Sequence, residues 1–381
     1  MKKLFIFTVT DIDEMLRKGN IWYFRHYEAY FDKVYAVYIL GTKQKPITNG
    51  NTTLVPIGTG SILRDLFSSP YRLYKLAKEI KPSKYLTADP LFLWWTSALI
   101  KGFLKAKIYF LPVCMPELLY KNKKSRMPVW IKKIFSRLTL LAANQVITSK
   151  NFSGYIDWLK SERSIRNKLL IVDMVVDEMP TLELYEALKN RAPRVARDEH
   201  VLLYVGRLHH EKMVDDILMA FAHIQKSGLN TVLRIIGDGQ ERASLEKMAT
   251  ELGVRNKVDF LGSKPNGELA QYYNSTDVFV SPLTGSALRE AALFRLPVVA
   301  YDIDWVRGFL IHEKNALLIA NRDIEGMAKQ IIRILRDKKL AKKISESLYL
   351  DALERWDISK IGIALKQTFE TKDNNMGFHD A

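Results

Sequence analysis

Short apolar runs separated by amphipathic stretches fill the first half of the chain. The runs have strand length and several are rich in β-branched and aromatic residues, which predicts strands at Lys3–Val9, Val34–Leu40, Leu54–Ile57, Tyr85–Thr87, Lys107–Val113, Gln145–Thr148 and Leu169–Val172. Apolar residues at helical positions predict helices at Pro70–Ile80, Leu91–Leu104 and Met127–Ala143. This alternation indicates a parallel sheet covered by helices on both faces.

The second half repeats the alternation after a polar, charged stretch, Thr181–His200, which we interpret as the junction between two domains. Strands are predicted at Val201–Val205, Thr231–Ile236, Val258–Leu261, Val278–Ser281, Val298–Ala300 and Leu317–Ile319. Helices are predicted at Met213–Gln225, Glu241–Leu252, Glu268–Asn274, Ser286–Leu293 and Ile324–Leu335, and the tail Ile344–Phe369 is predicted to be helical with Trp356 between two helices. The sequence therefore predicts an α/β protein of two doubly wound, Rossmann-like domains facing a cleft, residues 1–180 and 181–357, with ligands at the carboxyl ends of the strands.

Composition narrows the class of protein. A chain of 381 residues that is 48% hydrophobic and 26% charged is long enough for two globular domains with cores. Its single cysteine, Cys114, excludes an internal disulfide and favours a reducing compartment. The N-terminus resembles a signal peptide, but its apolar run ends at Asp11 and is better explained as a strand. The longest apolar run, Leu91–Ile100, is shorter than the roughly 20 residues that span a bilayer.

Positive charge is concentrated in the first half. Residues 1–180 hold 29 Lys and Arg against 14 Asp and Glu, and residues 181–381 hold 29 against 28, so nearly all of the net charge of +16 lies in the first half. The excess is densest at residues 101–150, where 11 basic residues accompany one acidic residue, Glu117. We therefore expect the first domain to bind an anionic partner.

The densest charge surrounds an amphipathic segment, Tyr120–Ala142. Its apolar positions are Trp130, Ile131, Ile134, Phe135, Leu138 and Leu141. Its basic positions are Lys121, Lys123, Lys124, Arg126, Lys132, Lys133 and Arg137. A basic amphipathic helix with a tryptophan is typical of binding to an anionic membrane surface or acceptor, but the apolar face packed on its own domain is the alternative. Nucleic acid is disfavoured because no recognition motif accompanies the charge.

One turn in the second half has the chemistry of a diphosphate site. The first strand of that half ends in Gly206-Arg207, and Lys212 stands just before the next helix. Glycine lets the backbone approach a ligand, Arg207 offers a bidentate fork, and a helix N-terminus directs amides at an anion. The competing interpretation is a surface ion pair of Arg207 with Glu211 or Asp216.

Glycines and polar residues follow the other strands of the same half, so they share one rim of the predicted sheet. They are Gly237, Asp238 and Gly239 after the second strand, Gly262 after the third, and Thr284, Gly285 and Ser286 after the fourth. Glu290 lies one turn into the next helix, where a carboxylate suits the two hydroxyls of a ribose. We expect the amides of Gly285 and Ser286 to hold phosphate beside Arg207 and Lys212. The Gly-Asp-Gly sequence alone is equally an ordinary turn.

Two further positions have competing interpretations. Asp89, at the end of a first-half strand, is a candidate catalytic carboxylate near an acceptor, or else a helix cap before Pro90. His209 and His210 have no cysteine or acidic cluster beside them, which disfavours a metal site.

Five motifs follow one another through this half. They are G-R-L-x-x-E-K at Gly206–Lys212, G-D/E-G at Gly237–Gly239, V-x-F-L-G at Val258–Gly262, L-x-x-Y-Y-x-x-x-D-V at Leu269–Val278 and E-A-x-x-x-x-x-P-V-V-A at Glu290–Ala300. In this order and spacing they resemble the retaining GT-B glycosyltransferases of family 4, the glycosyl transferases group 1, which use nucleotide sugars. The resemblance is strong over residues 200–330 and weak before them.

The resemblance implies roles for these residues. Arg207 and Lys212 would bind the donor diphosphate and stabilise the leaving group without a metal or other cofactor, because two cations replace the metal's charge. Glu290, the second Glu of the family's E-x7-E motif, would hold the ribose, and Gly262 would border the base. The last helix, within residues 358–381, would pack back onto the first domain.

The chain departs from the family pattern in two places. Pro282 stands where the first Glu of E-x7-E is expected, so the donor sugar stays open. The glycine-rich loop after the first strand is absent, and Asp11 and Asp13 take its place. Tyr301–Trp305 still resembles a branch of the family in which a small loop replaces the first Glu of E-x7-E. This resemblance favours an active enzyme.

These observations together predict a cytoplasmic enzyme bound peripherally to the inner face of the cell membrane. It would transfer a sugar, with retention, from a nucleotide-diphosphate sugar to a lipid-linked or anionic glycan acceptor. An epimerase-type enzyme of the same architecture is an alternative, which requires acid/base carboxylates and histidine in the cleft. A non-catalytic nucleotide-sugar-binding protein is the third class, and Pro282 favours it.

Overall fold

Two sheets organise the chain, one in each of two units. Unit 1 contains Met1–Asp177 and Ser359–Ala381, and unit 2 contains Glu178–Ile358. This computed structural model describes residues 1–13, 23–42, 44–87, 108–110, 134, 137–138, 140–149, 159–160, 166–172, 182–189, 198–283, 285–303 and 309–370.

The sheet of unit 1 has eight strands in the order β3-β4-β2-β1-β5-β6-β7-β8. The strands are β1 (Lys3–Asp11), β2 (Lys33–Leu40), β3 (Ile47–Asn49), β4 (Thr52–Pro56), β5 (Lys84–Thr87), β6 (Ile108–Phe110), β7 (Gln145–Ser149) and β8 (Leu169–Val172). Neighbouring strands pair in parallel, except for the antiparallel edge pair of β3 with β4. The strand order reverses between β1 and β5, as in a doubly wound sheet.

The sheet of unit 2 has six parallel strands in the order β11-β10-β9-β12-β13-β14. The strands are β9 (His200–Val205), β10 (Thr231–Ile236), β11 (Val258–Phe260), β12 (Val278–Ser281), β13 (Val298–Tyr301) and β14 (Leu317–Ile319). This is the strand order of a Rossmann fold, and its reversal lies between β9 and β12. The prediction of two Rossmann-like sheets is confirmed.

Helices connect these strands in both units. The described α-helices are α1 (Ile62–Ile80), α2 (Leu182–Lys189), α3 (Val214–Gln225), α4 (Arg242–Glu251), α5 (Asn266–Asn274), α6 (Ser286–Leu293), α7 (Ile324–Arg336), α8 (Lys338–Arg355) and α9 (Ile361–Glu370). Asp323 and Asp337 cap α7 and α8, because their carboxylates accept the amides of Gly326 at 2.8 Å and Leu340 at 2.9 Å. Within the described residues, no helix combines the length and apolar character needed to cross a membrane.

The core of unit 2 lies between its sheet and two helices. Ile217 and Phe221 of α3 and Ile331 of α7 pack with Leu233 and Val280 of the sheet, and all five are buried. The strands of this sheet are buried almost throughout, as expected of a parallel sheet covered on both faces, whereas each helix buries one face. This core holds β9 and α3 in place on either side of the turn that joins them.

The last helix, α9, packs within unit 1. Phe369 makes edge-on contacts with Phe31 and Tyr109, with ring centroids 5.0 Å apart in both pairs. Next to it, Glu370 Oε1 accepts hydrogen bonds from Tyr30 Oη at 2.7 Å and Lys2 Nζ at 3.1 Å. These two bonds lower the pKa of Glu370 below its ordinary value. An aromatic cluster and a shared carboxylate therefore join α9 to the start of β1.

Three elements differ from the sequence prediction. The helix predicted from Pro70 begins already at Ile62, so Pro70 lies inside α1. The short edge strand β3 was not predicted, and neither was α2, which lies in the stretch interpreted as a domain junction. In each case hydrogen bonds stabilise an element that its apolar periodicity does not specify.

Candidate functional site

The turn after β9 lies at the reversal point of the unit 2 sheet. Because β9 and β12 are neighbours, the turns that follow them leave the same carboxyl edge of the sheet side by side. In open α/β sheets this is where ligands bind. Gly206–Lys212 follows β9, and Pro282–Ser286 follows β12.

Backbone hydrogen bonds join the turns after β9, β10 and β11. Leu208 N donates to Asp238 O at 3.0 Å, and Glu241 N donates back to Leu208 O at 3.1 Å. Gly237 N donates to Gly262 O at 2.9 Å. Backbone hydrogen bonds therefore bring the predicted site glycines of these three turns together.

Two of these glycines are required by close approach of the backbone. At Gly237, φ is +139°, and an added Cβ would overlap the carbonyl oxygen of Gly206. At Gly239, an added Cβ would overlap the carbonyl oxygen of Leu208. The G-x-G of this turn is thus explained by turn-to-turn packing, which leaves the rim open for a ligand.

Tyr204 supports the β9 turn from below. Its ring is 1% exposed, and its hydroxyl donates to the carbonyl oxygen of Arg207 at 3.2 Å. Burial raises the pKa of this hydroxyl well above its ordinary value, so it stays a donor. The sequence indicated only a strand residue here, although a buried tyrosine hydroxyl requires a partner.

The two predicted cations occupy different environments in this turn. The Arg207 side chain is 71% exposed, and its Nη2 lies 3.2 Å from Glu211 Oε1. Lys212 is half-buried at the end of the single 3₁₀ turn His210–Lys212, and its amide donates to His209 O at 2.8 Å. The surface pair of Arg207 with Glu211, one of the two competing interpretations, is therefore present.

Asp216, the other partner considered for Arg207, belongs to a separate network. Its carboxylate accepts hydrogen bonds from Tyr301 Oη and Arg322 Nη1, each at 2.7 Å, and it is 1% exposed. These bonds tie the first turn of α3 to the end of β13 and to the loop before α7. Asp216 therefore orients the helix that begins directly after Lys212 and Met213.

The turn after β12 presents a helix start to the same edge. Gly285 and Ser286 are exposed at the beginning of α6, and Pro282 is buried. Thr284 lies outside the described residues. Since Pro has neither a carboxylate nor an amide hydrogen, position 282 offers a ligand no polar side chain.

Glu290 is buried in α6 and has a partner within the protein. It is 8% exposed, and its Oε2 accepts a hydrogen bond of 2.6 Å from the hydroxyl of Tyr273 on α5. Burial raises the pKa of Glu290, and the opposing effects of Tyr273 and Arg289 do not cancel it. The sequence analysis did not identify Tyr273 as this partner. Its hydrogen bond explains how the Glu290 carboxylate can be buried even when no ligand is bound.

Two acidic residues singled out in the motifs have structural partners. Asp277 bridges β12 to β9, since its Oδ2 accepts the amide of Val201 and its own amide donates to Val201 O, both at 2.8 Å. Asp13 accepts hydrogen bonds from the Thr42 amide at 2.9 Å and from the side chain of Gln44. Asp13 therefore braces the turn that follows β2.

Other predicted site residues lie outside the described part of the chain or away from the rim. Outside it are Asp89, Lys121, Lys123, Lys124, Arg126, Trp130, Lys132 and Lys133. Arg137 is exposed on a helical segment of unit 1. Over the ranges that the structure describes, no three His, Cys, Asp or Glu side chains gather as metal ligands would.

Sequence comparison matches the second half of the chain to one family. Residues 186–350 match the model of "Glycosyl transferases group 1". The alpha-monoglucosyldiacylglycerol synthase of Acholeplasma laidlawii is 28% identical over 46% of this chain and 49% of its own length. The 2-deoxystreptamine glucosyltransferase of Streptomyces kanamyceticus is 31% identical over 40% of each chain. The matched segment thus spans half or less of these relatives.

Structural comparison extends over nearly the whole chain. Sucrose-phosphate synthase from Thermosynechococcus elongatus aligns with 97% of this chain and 98% of its own, with a TM-score of 0.72 and 16% identity. Anabaena HepE in complex with UDP and glucose aligns with 98% of this chain and 100% of its own, with a TM-score of 0.70 and 15% identity. The chain therefore has the GT-B fold, and its residues 186–350 match the glycosyl transferases of group 1.

Proposed function

We propose that the protein is a glycosyltransferase that transfers a sugar, with retention, from a nucleotide-diphosphate sugar to a lipid-linked or anionic glycan acceptor. The observation that carries this proposal is the rim at the end of β9. There, Arg207 and Lys212 stand on a turn that backbone hydrogen bonds join to the glycine turns after β10 and β11. The match of residues 186–350 to group 1 supports the same reaction class.

In this proposal the chain's own cations replace a metal. As the bond between sugar and diphosphate breaks, negative charge grows on the leaving phosphate, and Arg207 and Lys212 stabilise it. The amides of Gly285 and Ser286 at the start of α6 add partial positive charge. Glu290 accepts the ribose hydroxyls, and the backbone near Gly262 borders the base. Unit 1 binds the acceptor.

A nucleotide panel tests the donor assignment and separates it from the two alternatives. We expect one of UDP, GDP or ADP, with its sugars, to raise the melting temperature, because a ligand of the folded state stabilises it by mass action. We further expect release of free nucleoside diphosphate to depend on an added glycan or glycolipid acceptor. An epimerase converts the sugar without an acceptor, and a non-catalytic binding protein releases no product, so either result contradicts the proposal.

We also propose that unit 1 binds the anionic inner surface of the cell membrane. Two names among the relatives, the glucosyldiacylglycerol synthase and a lipopolysaccharide core glycosyltransferase of Rhizobium meliloti, refer to lipid-linked acceptors. In this chain Ile134 is 46% exposed and Leu141 is 48% exposed, whereas Leu140 is 2% exposed. Two apolar positions of the basic segment, Ile134 and Leu141, are thus half-exposed, whereas Leu140 packs inward. Exposed apolar side chains in a segment rich in lysine suit an anionic bilayer.

Replacing these two exposed side chains should weaken binding to vesicles. We expect Ile134→Ser with Leu141→Ser to lower the partition onto phosphatidylglycerol vesicles by roughly tenfold, because two half-exposed apolar side chains lose their transfer energy. The measurement is co-sedimentation, with neutral phosphatidylcholine vesicles showing the charge requirement. The matched control is Leu350→Ser with Leu353→Ser on α8, whose side chains are 62% and 38% exposed. Equal partition of both double variants would contradict the proposal.

A further inference from the structure

Glu211 stands between two basic side chains of the β9 turn. Its Oε1 lies 3.2 Å from Arg207 Nη2, within hydrogen-bond distance. Its Oε2 lies 3.8 Å from His209 Nδ1, beyond hydrogen-bond distance. The Glu211 carboxylate therefore already contacts Arg207, and a small side-chain movement would bring it within hydrogen-bond distance of His209.

The contact with Arg207 is weak and easily exchanged. The Arg207 side chain is 71% exposed and that of Glu211 is 37% exposed, and water and salt screen exposed ion pairs of this kind. The pair uses one N–H of a guanidinium that carries five donors. A diphosphate offers several charged oxygens to the same fork and can bind it in a bidentate manner. A diphosphate at this site would therefore compete with the Glu211 carboxylate for Arg207.

His209 lacks the partner that Glu211 can supply. Its Nδ1 is buried and has no hydrogen bond in the part of the chain that the structure describes. A neutral imidazole with its proton on Nδ1 donates to a carboxylate, and a buried ring nitrogen without a partner is unfavourable. Movement of Glu211 by about an ångström brings it to hydrogen-bond distance of His209. When the Glu211 carboxylate leaves Arg207, it can thus accept a hydrogen bond from His209 Nδ1, and both side chains then have a partner.

A carboxylate that stayed beside Arg207 would oppose the donor. The negative carboxylate and the negative diphosphate repel each other, and the repulsion weakens as their separation grows. The second position of Glu211, at His209, increases that separation and leaves the guanidinium fork free for phosphate.

We propose that Glu211 is a two-position carboxylate that holds Arg207 while the donor is absent and moves to His209 when the diphosphate binds. Glu211 is then a positioning residue, because it acts on the donor through Arg207. The inference deepens the proposed function and rests on the proposed donor site at Arg207.

Isothermal titration of Glu211→Gln tests this directly, with UDP, GDP and ADP as probes. We expect the nucleotide that binds the wild type to bind Glu211→Gln about three- to tenfold more tightly, since the neutral amide holds the guanidinium less and does not repel phosphate. The matching nucleoside, which has no phosphate, should bind both proteins equally. Glu251→Gln, which removes the same charge from a 3.5 Å pair with Lys247 on α4, is the matched control and should bind like the wild type.

His209→Phe tests the second position. It removes Nδ1 but keeps a ring to pack on His210, whose centroid lies 4.3 Å away. We expect this variant to bind the nucleotide about threefold more weakly than the wild type, because Glu211 loses its second partner. In the Glu211→Gln background the same change should have no effect, a coupling that general damage to the turn does not produce.

Two outcomes overturn the proposal and leave the donor site intact. One is weaker or unchanged nucleotide binding by Glu211→Gln, and the other is equal weakening by His209→Phe in both backgrounds. Two other results would contradict the donor site itself, and this inference with it. One is that the wild type binds none of the three nucleotides, and the other is that Arg207→Ala binds them as the wild type does.

Discussion

We expect Arg207→Ala and Lys212→Ala each to lower the rate of sugar transfer by roughly 10²- to 10³-fold, the size of effect seen when one preorganised donor to a developing oxyanion is removed. Both residues stand on the turn after β9, at the reversal point of the unit 2 sheet. The charge that they stabilise grows on the diphosphate as the sugar leaves, so their effect should fall mainly on the transfer step and less on donor affinity.

The structure predicts that these losses do not come from misfolding. The turn is held by backbone bonds of Leu208 to Asp238 and Glu241, and by the Tyr204 hydroxyl on the Arg207 carbonyl, none of which involves the two side chains. Arg207→Lys should recover part of the rate, because it keeps the charge but loses the bidentate fork. The folded fraction of each variant can be checked by its melting temperature.

Initial rates of acceptor-dependent nucleoside diphosphate release measure the effect. Lys247→Ala is the matched control, since Lys247 is 79% exposed in an ion pair on α4 and its removal changes the charge of unit 2 equally. Wild-type rates in both Arg207→Ala and Lys212→Ala would contradict the proposed diphosphate site and the assignment of this rim to donor binding.

The fold class could be predicted from sequence because its signal is local. Most strands of unit 2 are short apolar runs followed by a helix, so the strand residues and their order are visible in the chain. The pairing of β9 with β12, which creates the reversal point, is not local, but it follows once a Rossmann-like order is assumed. The positions of Arg207 and Lys212 at that edge follow from the same assumption.

The elements that differ from prediction depend on polar contacts that apolar periodicity does not reveal. A proline usually marks a helix start, yet α1 continues upstream of Pro70. The upstream turn is stabilised by Asp65, which accepts the Thr59 amide at 2.8 Å and pairs with Arg72 at 2.9 Å. Similarly, Tyr185 of α2 donates its hydroxyl hydrogen to the carbonyl of Trp356, far along the chain. Local periodicity carries no information about such pairs.

The site shows the same limit. A buried Glu290 was visible in the sequence as a carboxylate within an apolar helix, but its partner Tyr273 lies on another helix. The position of Glu211 between two partners is likewise set by the turn after β9, which places its side chain near those of Arg207 and His209. Motifs thus identified the residues of the rim, while their hydrogen-bond partners required the structure.

We expect Gly237→Ala to destabilise unit 2 by about 3 kcal/mol or more. The added Cβ meets the Gly206 carbonyl oxygen, which belongs to backbone and cannot rotate away, and φ of +139° is unfavourable for any residue with a Cβ. Relief of the clash must separate the turns after β9 and β10, so donor binding should be lost together with stability. Gly237 is therefore a structural requirement of the site, whether or not it contacts the ligand.

Hydrogen exchange resolved by peptide is the suitable measurement, because a protein of two units need not unfold in a single step. Exchange in Gly237→Ala should accelerate across residues 200–262 of unit 2 and stay unchanged across β1 and β2 of unit 1. The control is Gly267→Ala in the first turn of α5, where an added Cβ meets no atom within 4 Å and no positive φ is involved. It should match the wild type or gain up to about 1 kcal/mol, since alanine favours a helix. Equal protection from hydrogen exchange in the two variants would show that the turns can separate without loss of stability. The backbone contacts between these turns would then not be what stabilises the rim.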